Sequence, residues 1–162
     1  MTIFGTRPEA IKMAPLIKTL EKDSDLEPVV VVTAQHREML DSVLNTFNIS
    51  ADYDLNIMKA GQTLSEVTSE AMKKLEDIIQ KEVPDMVLVH GDTVTTFSGA
   101  LAAFYSQTPI GHVEAGLRSY NKYSPYPEEI NRQMVGVMAD LHFAPTYNAA
   151  HNLVKEGKLA KH

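Results

Sequence analysis

Short apolar, β-branched runs alternate along this chain with longer stretches in which apolar residues return every three or four positions. That rhythm predicts a parallel sheet with helices on both faces. Thr2 to Gly5 reads as the first strand. Thr6-Arg7-Pro8-Glu9 has the Thr-x-x-Glu form of a capping box with proline in the first turn, so a helix is expected from there towards Glu21, bent at Pro15. Val29-Val30-Val31-Val32-Thr33-Ala34 is nearly continuous in apolar residues and suits a strand covered on both sides. A helix from Arg37 to about Phe47 follows. Thr63-Leu64-Ser65-Glu66 is a second capping box, after which Leu64, Val67, Ala71, Leu75, Ile78 and Ile79 keep helical spacing as far as Pro84. Met86 to His90, Pro109 to Val113 and Leu141 to Ala144 read as further strands. Thr93 to Tyr105, Pro127 to Ala139 and Tyr147 to Glu156 read as the helices between and after them.

No repeat or linker interrupts this order, and 162 residues suffice for one core, so a single domain is expected. With 44% hydrophobic and 22% charged residues, the composition is that of a globular α/β domain. The net charge of -6 argues against a nucleic-acid partner, because phosphate backbones need a basic face. A small phosphorylated ligand, which needs only a few cations and helix amides, stays open. The absence of cysteine excludes disulfides, thiol catalysis and Cys-ligated zinc, and fits a reducing compartment. No leader-like start or membrane-length apolar run is present, so a soluble, cytoplasmic protein away from membranes is expected.

In an open parallel sheet, ligands bind beyond the carboxyl ends of the strands, where loops and helix N-termini converge. Four segments fall there: Gly5 to Glu9, Gln35-His36-Arg37, His90-Gly91-Asp92-Thr93 and Glu114 to Arg118. Arg7 and Lys12 place positive charge where free helix amides already favour an anion, and Glu9 reads as the capping partner. Asp92 and Glu114 each follow a buried strand, so two carboxylates should share one crevice, where partial desolvation raises a pKa towards neutrality. The plainer alternative is that Asp92 caps the next helix and Glu114 pairs with Arg118. Glu128 is a third acid, in a first helical turn where the helix dipole alone would account for it. The stretch from Ala115 to Pro127 is polar, proline-bearing and aperiodic, as a loop covering a ligand would be. The histidines form no compact ligand set, so no metal is expected; His90 and His112 read as hydrogen-bonded structural residues, and the methionines as core filling.

Four strings in register carry a resemblance. They are Gly5 to Leu16 (GTRPEAIKMAPL), Thr33-Ala34-Gln35-His36-Arg37, Val89-His90-Gly91-Asp92-Thr93 and Gly111 to Arg118 (GHVEAGLR). In wording and order they resemble the non-hydrolysing UDP-N-acetylglucosamine 2-epimerases from Met1 to about Gly157. The resemblance implies a Rossmann-like domain, residues 1–157, forming the first half of a glycosyltransferase-B architecture. The C-terminal nucleotide-binding half would be absent, and residues 158–162 would be a cloning-derived tail. It implies inversion at sugar C2 without a cofactor or metal: a base removes the C2 proton as UDP leaves C1, giving a glycal-like intermediate, and UDP then re-adds with a proton delivered to the other face. UDP-N-acetylglucosamine and UDP-N-acetylmannosamine would interconvert, supplying bacterial cell-surface polysaccharide synthesis. Asp92, Glu114 and Glu128 match the family's candidate acids and bases, and Arg7 and Lys12 match substrate-contacting positions. Gln35, His36 and Arg37 resemble the edge of a second, activating UDP-sugar site, with Gly61 where some members supply an arginine. A homodimer is implied for the full-length enzyme. The competing readings are half of a hydrolysing epimerase or glycosyltransferase, a non-catalytic domain dimerising through Leu64 to Ile79, and a flavodoxin-like binding module. The last requires the three acids to point apart.

Overall fold

The computed structural model describes residues 1–33, 37–59 and 61–158, without the side chain of Arg37. Six strands are found among the described residues: β1 (Thr2–Phe4), β2 (Val30–Val32), β3 (Tyr53–Asp54), β4 (Val87–His90), β5 (Ile110–Val113) and β6 (Leu141–Phe143). They form one sheet in the order β3-β2-β1-β4-β5-β6, and every neighbouring pair is parallel. This is a Rossmann-like order, whose direction of winding reverses between β1 and β4. The chain enters that crevice twice, through the loops after those two strands.

The strands alternate their side chains between two cores, as the two-residue period requires. Ile3, Val31, Val87 and Val89 lie in one apolar cluster, with residues of α3 (Leu64–Glu82), α4 (Val94–Tyr105) and α5 (Glu128–Met138). Phe4, Val30 and Val32 lie in the other, against α1 (Arg7–Leu20) and α2 (Arg37–Thr46). Burying one such aliphatic side chain stabilises the fold by about 1.5–3 kcal/mol. α4 comes closest to the sheet because its residues there are small. A Cβ at Gly99 would lie 3.2 Å from Val89 Cγ1 and 3.3 Å from Ile3, tighter than ordinary contact. The last helix, α6 (Tyr147–Lys155), buries Ala149 and Leu153.

Both capping boxes form: Thr6 and Glu9 open α1, and Thr63 and Glu66 open α3. α1 runs unbroken through Pro15. Val67, Ala71, Leu75, Ile78 and Ile79 of α3 are buried within the domain, so the apolar stripe that a dimerising helix would need to expose is already covered. β3 has no apolar alternation to mark it in the sequence; it is two residues long, pairs with β2, and packs Tyr53 against the core. Among the described residues, no helix is long and apolar enough to cross a membrane.

Candidate active site

The carboxyl ends of β1 and β4 are stitched together by Glu9. Its Oε2 accepts hydrogen bonds from the backbone amides of Gly5 (2.9 Å) and Thr6 (2.6 Å), completing the capping box. Its Oε1 accepts from the hydroxyls of Thr93 (2.7 Å) and Thr96 (3.1 Å), at the start of α4. Glu9 is only 3% exposed, so it is more than the local cap the sequence suggests. It fixes the two loops that flank the crevice. Thr93, not Asp92, is the N-cap of α4, its hydroxyl accepting from Thr96 N. That leaves the Asp92 side chain free of the capping role the plainer alternative gave it.

Asp92 instead faces α5. Arg132 Nη2 lies 2.6 Å from its Oδ2, and Asn131 Nδ2 donates to its backbone carbonyl at 2.9 Å. Burial, first of all, pushes the Asp92 carboxyl above its ordinary value; Arg132 pulls it down, and Glu128, Glu114 and Glu9 push it further up. Glu114 and Glu128 both therefore act electrostatically on Asp92. Glu128 sits half-buried in the first turn of α5, where its charge also favours the helix dipole.

Glu114, the first residue beyond β5, has a left-handed backbone with φ of 63°, which a residue with a side chain adopts only when its surroundings hold it there. From that position its carboxylate passes over β4 to form an ion pair with Lys12 of α1, and it lies 3.5 Å from His90 Nε2. It does not pair with Arg118, which makes a two-pronged contact with Glu156, the C-cap of α6, at 2.7 Å through both Nε and Nη2. Gly116 allows that arrangement: with φ of 89° it lies against the Ala149 carbonyl, where a Cβ would collide. Arg7 is exposed at the first turn of α1, beside the crevice.

The histidines divide. His112 Nε2 meets the Gly91 carbonyl at 2.7 Å, as a structural histidine should. His90 differs in what its ring faces: Nε2 lies 3.5 Å from Glu114, while its buried Nδ1, like that of His112, has no partner. Burial, chiefly, lowers its pKa, while Glu114 and Glu9 raise it. Sequence reasoning also passed over Arg132 and Glu129, whose importance depends on where α5 docks. The loop from 115 to 127 carries three exposed tyrosines, Tyr120, Tyr123 and Tyr126. Gln35 and His36 lie outside the described residues; Arg37 opens α2, its side chain likewise outside them. No group of three or more metal-ligating side chains occurs among the described residues.

Comparison with known proteins yields consistent matches. A family model described as UDP-N-acetylglucosamine 2-epimerase matches residues 18–162. The chain is similar to the UDP-N-acetylglucosamine 2-epimerase of Bacillus subtilis strain 168, with 63% identity over 160 residues, covering 99% of this chain and 42% of that protein. It is similar in structure to S. aureus MnaA solved with UDP, with 74% identity and a TM-score of 0.96, covering 99% of this chain and 42% of that one. The Neisseria meningitidis UDP-GlcNAc 2-epimerase bound to UDP-GlcNAc matches with 57% identity and a TM-score of 0.94, covering 96% of this chain and 42% of that one. The chain thus spans less than half the length of the relatives it matches.

Proposed function

Because the chain belongs to the UDP-N-acetylglucosamine 2-epimerase family, we propose that it forms the sugar-side half of an enzyme inverting C2 of UDP-N-acetylglucosamine to give UDP-N-acetylmannosamine, and the reverse. The observation that carries this reading is geometric: Asp92 and Glu114 follow the neighbouring strands β4 and β5, Glu114 meets Lys12 of α1, and Asp92 meets Arg132 of α5, the helix whose first turn holds Glu128. Relatives solved with UDP or UDP-GlcNAc support a nucleotide sugar as the ligand.

The C2 proton is not acidic, so its removal must be coupled to departure of UDP from C1, with the charge developing on the diphosphate held by cations. Lys12 and Arg7, at the N-terminal end of α1, supply that charge together with the helix amides. An acid whose proton affinity is raised by burial exchanges protons more readily near neutrality than a solvated one, which suits Asp92 to one face of the sugar. Glu114, paired with Lys12 and next to His90, and Glu128, in the first turn of α5, are the candidates for the remaining transfers. The resulting intermediate would be glycal-like, and re-addition of UDP with a proton from the other face would complete the inversion. No metal or cofactor is required by these steps.

We further propose that residues 1–157 act as the N-terminal domain of a cytoplasmic homodimeric enzyme, the remaining nucleotide contacts coming from the portion of the relatives that this chain does not span. Incubating a full-length form with UDP-N-acetylglucosamine and separating the products tests the reading. Reversible formation of UDP-N-acetylmannosamine supports it. Accumulation of free sugar with UDP would instead indicate a hydrolysing enzyme.

A further inference from the structure

Glu129 stands next to Glu128 in sequence, yet it faces the interior and is completely buried. A buried carboxylate persists only where hydrogen bonds or counter-charges replace its water. Here the Oε2 atom accepts from Ser119 N at 3.0 Å, and Oε1 accepts from Tyr120 N at 2.9 Å and from Gln133 Nε2 at 2.8 Å. Arg132 Nη1 also lies 3.6 Å from Oε2. The same guanidinium, 12% exposed, reaches Asp92 through Nη2 at 2.6 Å, while its Nε is buried without a partner. One cation is thus held between two anions, only one of which faces the crevice.

We propose that Glu129 is a positioning residue that divides the Arg132 guanidinium between itself and Asp92, and ties that division to the loop backbone at Ser119 and Tyr120. Burial alone would raise the Glu129 carboxyl; the hydrogen bonds from Ser119, Gln133 and Tyr120 outweigh it and keep the group below its ordinary value. It therefore remains an anion and draws part of the Arg132 charge away from Asp92. The charged groups acting on Asp92 are Arg132 and Glu128 from α5, Glu114 from the end of β5 and Glu9 from α1. Arg132 is the cation in contact with Asp92, so its sharing weighs directly on the balance. Neutralising Glu129 leaves the whole guanidinium charge to Asp92, and the Asp92 proton becomes easier to lose.

The catalytic meaning of this device rests on the proposed epimerase chemistry, but its test does not use turnover. The titration midpoint of Asp92 is read by carboxyl carbon-13 NMR in this chain and in Glu129→Gln, Arg132→Gln and the double variant, with backbone spectra confirming the fold. Glu129→Gln is expected to lower the midpoint by on the order of half a pH unit, and Arg132→Gln to raise it. In the double variant the Glu129 effect disappears, because it acts through Arg132. A midpoint in Glu129→Gln that stays put or rises, or an equal fall in the Arg132→Gln background, overturns the proposal while leaving the epimerase reading intact. Where Glu129→Gln does not fold, Glu129→Asp keeps the charge but shortens the arm. It is expected to give a smaller fall, and no fall would overturn the proposal equally.

Discussion

Acid should weaken this fold through His112 in a pH range where most carboxylates are still ionised. The imidazole is 1% exposed, and its Nε2–H donates to the Gly91 carbonyl at 2.7 Å. Its Nδ1 is buried and has no partner, so a proton arriving there would bring an unpaired N–H and a charge into a closed site. Burial, first of all, pushes the pKa from an ordinary 6.5 down to about 4. Between those values the unfolded chain binds more protons than the folded one, so this contribution is fully present above 6.5 and is lost as the pH falls through about 4. At about 1.4 kcal/mol per pH unit, the loss is about 3 kcal/mol in full and about 2 kcal/mol by pH 5. His90 and His142 are also lowered, chiefly by burial, and add to the same trend. Urea unfolding of the native chain and His112→Gln at several pH values between 7.5 and 5 separates them, since only the His112 part differs and the glutamine amide can keep a donor for Gly91. The native chain should lose about 2 kcal/mol more than the variant over that range. Equal losses in the two proteins would refute the assignment.

In a full-length form, Asp92→Asn, Glu114→Gln and Glu128→Gln should each cut turnover by about a hundredfold or more. Their thermal midpoints should move little, because the Lys12–Glu114 pair is partly exposed, the asparagine amide oxygen can still accept from Arg132, and Glu128 sits half-buried in a first helical turn; near-normal turnover in all three would end the mechanistic reading. Glu9→Ala should cost about 2–4 kcal/mol in urea unfolding, because it leaves the buried Gly5 amide and the partly buried Thr6 amide without an acceptor and unties the Thr93 and Thr96 hydroxyls from α1. A cost below about 1 kcal/mol would mean that these loops hold without it.

Local chemistry made much of the fold legible. The two Thr-x-x-Glu boxes located the starts of α1 and α3 because capping is settled within four residues. The β-branched runs located the strands; of the run that begins at Val29, Val30 to Val32 form β2. β3 escaped notice because Tyr53 and Asp54 owe their strand to β2 rather than to their own preferences. Asp92 and Glu114 could be singled out because each follows a strand tip and strand tips converge by topology, whereas Glu128 stands in the first turn of α5. Their partners could not: Glu9 meets Thr93 across 84 residues, Asp92 meets Arg132 across 40, and Arg118 turns to Glu156 rather than to Glu114. These choices follow from how α1, α5 and α6 dock, which no local spacing encodes.

Solvent exchange at the sugar carbon tests the central claim most directly. A full-length form incubated with UDP-N-acetylglucosamine in deuterium oxide should place deuterium at C2 of both the recovered substrate and the epimer, and Asp92→Asn should suppress that incorporation. Epimer formed with its original C2 hydrogen retained would contradict proton transfer by the carboxylates at the ends of β4 and β5.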